Sequence, residues 1–294
     1  MEPNNENGIT RERGMRYTLI TGAAGGLGKA FAVECARRGW NLFLTDLHGE
    51  PLEILARSLE SVYGVRVLHS ACDLTDFDSR TALLEHLRRE PLRFEALFNV
   101  AGIDYEGLFL EQNRRRIRTI LRLNVEGTLD MIHGVLPLRD PLRPFRILNV
   151  ASLAAFYPMP VKATYAASKR FLLDFSLALR EEVREMGATV TVLCPGGLPT
   201  TPEVVAAIDV QGLPGFLTTE NIGGVAAGSV DAMLRGQAIV IPGWINNVLR
   251  MLGGFAPGTL AARFIGRRWM QARSRKAAAE PGLAWLANPT PHAP

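Results

Sequence analysis

Short apolar runs, separated by longer stretches in which apolar residues recur at helical spacing, pass through most of this chain. Residues 17–21, 41–45, 65–70, 96–100, 146–150, 189–193 and 238–241 are mainly apolar. Runs of that length predict strands buried on both faces. Between them, helices are predicted from a glycine-rich turn to Arg38, over 51–63, 76–89, 113–136 and 164–186, and after Thr219. Gly39 and Gly64 stand where the first two would stop, and Pro51 lies in the first turn of the second. Thr75 with Asp78 is expected to cap 76–89. This order of strand and helix is that of an α/β chain.

Past the last strand the pattern continues without further strands. Trp244, Ile245, Val248, Leu249 and Leu252 recur at helical spacing, and after Gly253-Gly254 and Pro257-Gly258 so do Leu260, Ala261, Phe264, Ile265 and Trp269. Two short amphipathic helices are expected, broken at those glycines and proline. Segment 201–217 has few charges and several valines, alanines and glycines, as a lid over an apolar substrate would.

The length of 294 residues suits one doubly wound α/β domain, and no shift in composition divides it. The expected organisation is a disordered tail at 1–14, a domain at 15–243, a basic helical extension at 244–276 and a disordered tail at 277–294. Residues 1–14 are polar, with no apolar segment of the kind a targeting signal carries. No apolar run reaches the ~18 to 20 residues that cross a bilayer. Cys35, Cys72 and Cys194 lie far apart within apolar stretches and are expected as buried, reduced thiols of a cytoplasmic protein. The five histidines show no metal-ligand spacing, so no metal site is expected.

The net charge of +4 is unevenly distributed. Arg250, Arg263, Arg267, Arg268, Arg273, Arg275 and Lys276 fall between 244 and 279 with no acid among them, leaving 26 basic residues against 29 acidic elsewhere. Arg114, Arg115, Arg116 and Arg118 form a second cluster, expected as a solvated or subunit-facing surface. No aromatic interleaving accompanies it, which argues against a nucleic-acid partner.

Candidate chemistry gathers at the ends of the predicted strands. Tyr165 and Lys169 stand four apart and share a helix face. An ammonium held close to a phenol is expected to draw its pKa down toward the working pH, making Tyr165 a proton donor or acceptor. Taken alone, this spacing also fits an exposed ring and a solvated amine. Ser152 follows the strand at 146–150, at the carboxyl end where open α/β sheets hold ligands. Gly22, Gly26 and Gly28 follow the first strand and open a helix, the context of a dinucleotide-binding turn whose helix N-terminus faces phosphates. Asp46 ends the second strand, where a carboxylate can accept from an adenosine ribose and repel a 2'-phosphate; an ordinary turn residue is the other reading. Neither position 25 nor position 47 offers a basic side chain. Asp73 follows the third strand and is placed to meet an adenine edge. Asn99-Val100-Ala101-Gly102 would let a cofactor lie against the backbone. Asn124, a poor helix-interior residue, hints at a hydrogen bond that cannot be made elsewhere.

These motifs, in this order and closed by Pro195-Gly196-x-x-x-Thr200, resemble the short-chain dehydrogenase/reductase family over roughly 16–243. The resemblance implies a single doubly wound Rossmann-type domain with a seven-stranded parallel sheet. It implies that Tyr165 is the general acid or base, that Ser152 binds the substrate oxygen, and that Lys169 tunes Tyr165 and binds the nicotinamide ribose. Asn124 would hold a water of the proton relay. Gly22, Gly26, Leu27, Gly28, Asp46, Asp73, Asn99, Ala101, Gly102, Tyr165, Lys169, Pro195, Gly196 and Thr200 would hold the cofactor, NAD rather than NADP. Val100 departs from the family, which commonly has a second asparagine there. The looser likeness of the C-terminal region suggests a hydrophobic, steroid-like or long-chain alcohol or ketone. An NADPH-dependent 3-oxoacyl-thioester reductase and a nucleotide-binding regulatory protein without turnover are the alternatives. A homo-dimer or homo-tetramer is expected on helices 113–136 and 164–186, through Phe171, Leu172, Phe175 and Leu179. The extension at 244–276 is expected either to cover the substrate pocket or a subunit, or to rest on a membrane.

Overall fold

A computed structural model describes residues 15–199, 219–255 and 257–279. Thr200 and the segment at 201–217 lie outside the described residues, as do the expected tail at 1–14 and residues 280–294.

In chain order the elements are β1 (Arg16–Thr21), α1 (Gly26–Arg37), β2 (Asn41–Asp46), α2 (Gly49–Tyr63), β3 (Val67–Ala71), α3 (Phe77–Arg89) and β4 (Arg93–Asn99). Then come α4 (Arg114–Leu121), a π-helical turn (Arg122–Gly127), α5 (Thr128–Val135), β5 (Phe145–Val150), α6 (Ala163–Glu182), β6 (Ala188–Leu193), α7 (Ile222–Leu234) and β7 (Ile239–Val240). Two helices follow, α8 (Trp244–Phe255) and α9 (Gly258–Ala279). The strands form one sheet in the order β3-β2-β1-β4-β5-β6-β7, every pair parallel.

Because side chains alternate across a strand, each strand feeds two cores. Ile20, Leu44, Phe98 and Leu148 face Phe31 of α1, Leu52 and Leu59 of α2, and Val230 of α7. Leu19, Phe43, Leu97 and Ile147 face Leu87 of α3, Met131 and Ile132 of α5, and Val183. Helices on both faces bury β1, β2, β4, β5 and β6, while β3 at one edge alternates between buried and exposed and β7 at the other is half-buried. The strand order reverses at β1/β4, where such folds hold ligands. The three cysteines are buried and free.

Some local expectations change. Asp76 caps α3, its Oδ2 accepting from Ser79 N at 2.9 Å, while Thr75 bonds Asp73. The predicted helix over 113–136 contains a π-helical turn around Asn124. Gly253-Gly254 does not break α8, and α9 runs to Ala279, three residues beyond the expected extension. Glycine weakens a helix by only about 1 kcal/mol, which its neighbours offset.

Candidate active site

Thr21, at the end of β1, ties the first ligand-facing loop to the sheet. Its hydroxyl accepts from Val100 N at 3.1 Å and Ala101 N at 3.2 Å. Gly22 has φ of +65°, and a Cβ there would stand 2.7 Å from Ala101 Cα. A Cβ on Gly28 would stand 2.0 Å from Gly22 O, so helix and turn touch through backbone. α1 begins at Gly26 with Gly25 as N-cap and no side-chain cap, leaving its first-turn amides to the cleft. Leu27 is buried beneath the turn.

Asp46 joins this turn directly. Its Oδ2 accepts from Ala24 N at 2.9 Å and its Oδ1 from Leu47 N at 2.7 Å, fixing the carboxylate at the tip of β2. Asp73 is half-buried, and its Oδ1 accepts from both the amide and the hydroxyl of Thr75.

Beyond β4 the polar side chains interlock. Asn99 Nδ2 donates to Asn149 Oδ1 at 2.9 Å, and Asn149 Nδ2 donates to Ser176 Oγ at 2.9 Å. Asn99 Oδ1 is buried and has no protein partner. Asn124 is fully buried at the π-helical turn. Its Oδ1 accepts from Ile103 N at 2.9 Å, and its Nδ2 donates to Ile103 O and Ser168 Oγ, both at 3.1 Å. The hydrogen bond expected of this asparagine therefore exists, and π turns recur at functional sites for this ability to redirect a side chain. Both Nδ2 hydrogens are engaged by protein, so they brace the loop.

Tyr165, Lys169 and Ser152 meet at the carboxyl ends of β4 and β5. Lys169 is buried, its Nζ donating to Val150 O at 2.9 Å and lying 5.8 Å from the Tyr165 ring centre. The Ser152 hydroxyl hydrogen-bonds the Tyr165 side chain and accepts from Ala154 N at 3.1 Å. A Cβ on Gly102 would stand 3.1 Å from Lys169 Nζ and 3.2 Å from Asn124 Oδ1, so this glycine keeps the space between them open. Pro195 O accepts from Leu153 N at 2.8 Å and holds the Ser152 loop, with Gly196 following in the chain.

The electrostatics run against the sequence expectation. The Tyr165 ring is partly exposed but its hydroxyl is desolvated, and burial pushes the phenol well above its usual range, with the Asp104 charge adding to the rise. Burial also pushes Lys169 down, from 10.5 to about 8. Desolvation disfavours each charged form, and it is the largest cause of both shifts. The phenol is thus held protonated.

Sequence reasoning missed three participants. Lys162 pairs with Asp104 and lies 5.8 Å from the Tyr165 ring centre and 5.2 Å from that of Trp269 in α9. Val161, just before it, is buried with φ of +72°, a strained conformation for a β-branched residue. No spacing or composition signal marks any of these. An apolar groove of about 530 Å³ lies beside the cluster, between Phe156, Met159 and Pro160, the outer face of α6 at Ala167 and Arg170, and Ala262 of α9. On the same helix Phe171 is exposed and stacks on Phe175 at 5.8 Å, whereas Leu172, expected at a subunit interface, is buried in the core.

A doubly wound parallel sheet carrying a glycine turn after β1 and a serine, tyrosine and lysine cluster after β5 defines a Rossmann-type α/β protein. Residues 16–207 match the family described as short chain dehydrogenase, and the chain belongs to that family. It is 33% identical over 188 residues to 17-beta-hydroxysteroid dehydrogenase type 3 of Mus musculus, covering 63% of this chain and 61% of that one. It is 30% identical over 184 residues to very-long-chain 3-oxoacyl-CoA reductase-A of Danio rerio, covering 61% and 57%. The matched region thus spans less than two thirds of each of these relatives. A short-chain dehydrogenase from Sphingobium yanoikuyae, solved in complex with NADPH, superposes with a TM-score of 0.71 at 27% identity, over 83% of this chain and 96% of that one.

Proposed function

We propose that this chain is a nicotinamide-dependent oxidoreductase that interconverts a hydrophobic ketone and its secondary alcohol. The observation that carries the reading is the Tyr165 hydroxyl, kept protonated by burial and bonded to Ser152, beside Lys169. The residues present fit a dinucleotide. The uncapped start of α1, the contact of Gly22 with Ala101 and the space that Gly102 leaves before Lys169 form a cradle that side chains would fill. Gly22, Gly26, Leu27 and Gly28 would hold the pyrophosphate by backbone amides, and Asp46 the adenosine ribose. Asp73 would meet the adenine, with Asn99, Ala101 and Gly102 along the middle. Lys169, Pro195, Gly196 and Thr200 would complete the nicotinamide end. When bound, the nicotinamide supplies or takes the hydride.

In the reducing direction Tyr165 Oη passes its proton to the substrate oxygen. Ser152 Oγ, which accepts from Ala154 N, can turn its hydrogen from Tyr165 Oη to that same oxygen. The Lys169 ammonium stabilises the phenolate left behind, and Asn124 fixes the Ile103 backbone that walls the site. The preferred cofactor is NAD. The carboxylate of Asp46, anchored at the glycine turn, would meet a 2'-phosphate as a like charge. A 3-oxoacyl thioester is the second substrate reading, supported by the identity to the zebrafish reductase.

The test is oxidation of NADH or NADPH with hydrophobic ketones and a 3-oxoacyl thioester of matched chain length. Turnover of the ketones supports the first reading. Turnover of the thioester alone moves the assignment to the second, and loss of neither cofactor with any substrate overturns both. We further propose a homo-oligomer on the Phe171 and Phe175 face, which a monomer in sedimentation at micromolar concentration would refute.

A further inference from the structure

The two helices after β7 leave an apolar surface that nothing in the fold requires. Along α8, Trp244, Val248 and Met251 recur at helical spacing and are 76%, 43% and 63% exposed. The opposite side of α8 packs on the domain: Asn246 is fully buried, and Arg250 lies 5.4 Å from the Phe156 ring centre.

α9 divides the apolar set that its sequence presents. Ala261, Ala262, Ile265, Gly266 and Trp269 are the less exposed residues of its first turns. Ala262 lines the groove, Gly266 faces Pro160, and Trp269 meets Lys162. That face is the wall of a groove, in keeping with the expectation that the extension covers a pocket. The outward face carries Leu260 and Phe264, 58% and 66% exposed. By the 3.6-residue period, Arg263 and Arg267 flank these two on one side and Arg268 on the other, and all three arginines are exposed. No acidic residue lies between 244 and 279. Both helices rest by their inward sides on the short segment from Phe156 to Pro160.

We propose that the outward faces of α8 and α9 form a docking surface for an anionic lipid bilayer. Trp244, Val248, Met251, Leu260 and Phe264 enter the interface while Arg263, Arg267 and Arg268 meet the headgroups. Large aromatic and aliphatic side chains set among arginines, with no acid present, match an interfacial helix lying in the membrane plane. Among the described residues no helix is long and apolar enough to cross a membrane, so the contact is peripheral. The proposal does not depend on the reaction assigned above.

The experiment is co-sedimentation of the full chain with phosphatidylcholine vesicles, with and without phosphatidylserine, at low and high salt. Retention is expected on the anionic vesicles and weak on the neutral ones, and it should fall as salt is raised. Each arginine brought to an anionic surface changes partition about fivefold, so Arg263→Gln with Arg267→Gln and Arg268→Gln should weaken retention by roughly 100-fold. These three side chains are exposed, and the folded core does not need them. Trp244→Glu with Phe264→Glu should abolish retention, with unchanged thermal unfolding showing that the domain persists. Equal retention on both vesicle types, none on either, or unaltered retention of both variants overturns the proposal. So does a dimer that the glutamate pair converts to monomer while vesicle retention is unchanged, since the face would then belong to a second copy of the chain.

Discussion

Replacing Lys169 with methionine tests the electrostatics of the site without relying on a substrate. The buried ammonium has its pKa pushed from 10.5 to about 8 by desolvation. At roughly 1.4 kcal/mol per pH unit, holding that charge in the fold costs about 3 kcal/mol near neutrality. Methionine keeps most of the stem and removes the charge, but leaves Val150 O without the donor now at 2.9 Å, a loss of about 1 kcal/mol. Lys169→Met is therefore expected to be about 2 kcal/mol more stable than the parent near neutral pH. Between pH 8 and 10.5 the unfolded chain holds more of this proton than the folded one, so the parent's cost fades as pH rises. The advantage of the variant should shrink across that window and reverse above it. Burial also pushes Tyr165 and Cys35 upward and Cys194 up to about 12, which lowers alkaline stability in both proteins. The difference between the two curves isolates Lys169. Urea unfolding at a series of pH values measures it, and a difference that does not vary with pH, or a variant less stable at neutrality, refutes the desolvation argument.

Tyr165→Phe should keep the fold and cofactor affinity while turnover falls ~10² to 10⁴-fold, read from steady-state kinetics. Asp46→Ala with Leu47→Arg should move preference from NAD toward NADP, measured by competitive binding; tighter NADPH than NADH binding by the parent would defeat the present assignment. Asn124→Ala removes the partner of Ile103 N, Ile103 O and Ser168 Oγ and should cost roughly 2 to 4 kcal/mol in chemical denaturation along with most turnover. Gly28→Ala would place a methyl 2.0 Å from Gly22 O, a backbone atom that cannot swing away, so dinucleotide affinity should drop by at least tenfold in a titration.

The sequence by itself determined what depends on period and spacing. Seven apolar runs became seven parallel strands. In β1, β2, β4, β5 and β6 burial on both faces removes polar alternation from the run, while the edge strand β3 keeps it. The glycine turn was legible because Gly22 and Gly28 answer a local steric demand, and Tyr165 and Lys169 share a face because a helix repeats every 3.6 residues. Asn124 announced itself as an awkward helix residue, though its partners, 21 and 44 residues away, did not. Only the tertiary structure decided the sense of the pKa shifts, since desolvation depends on every neighbour and the Tyr165–Lys169 spacing alone suggested the reverse. It alone brought Asp104 to Lys162 across 58 residues and set Trp269 beside them. It also split the apolar stripe of α9, turning Trp269 inward and Leu260 and Phe264 outward. Periodicity shows that a helix has an apolar side; which part of that side is covered depends on where the rest of the chain packs.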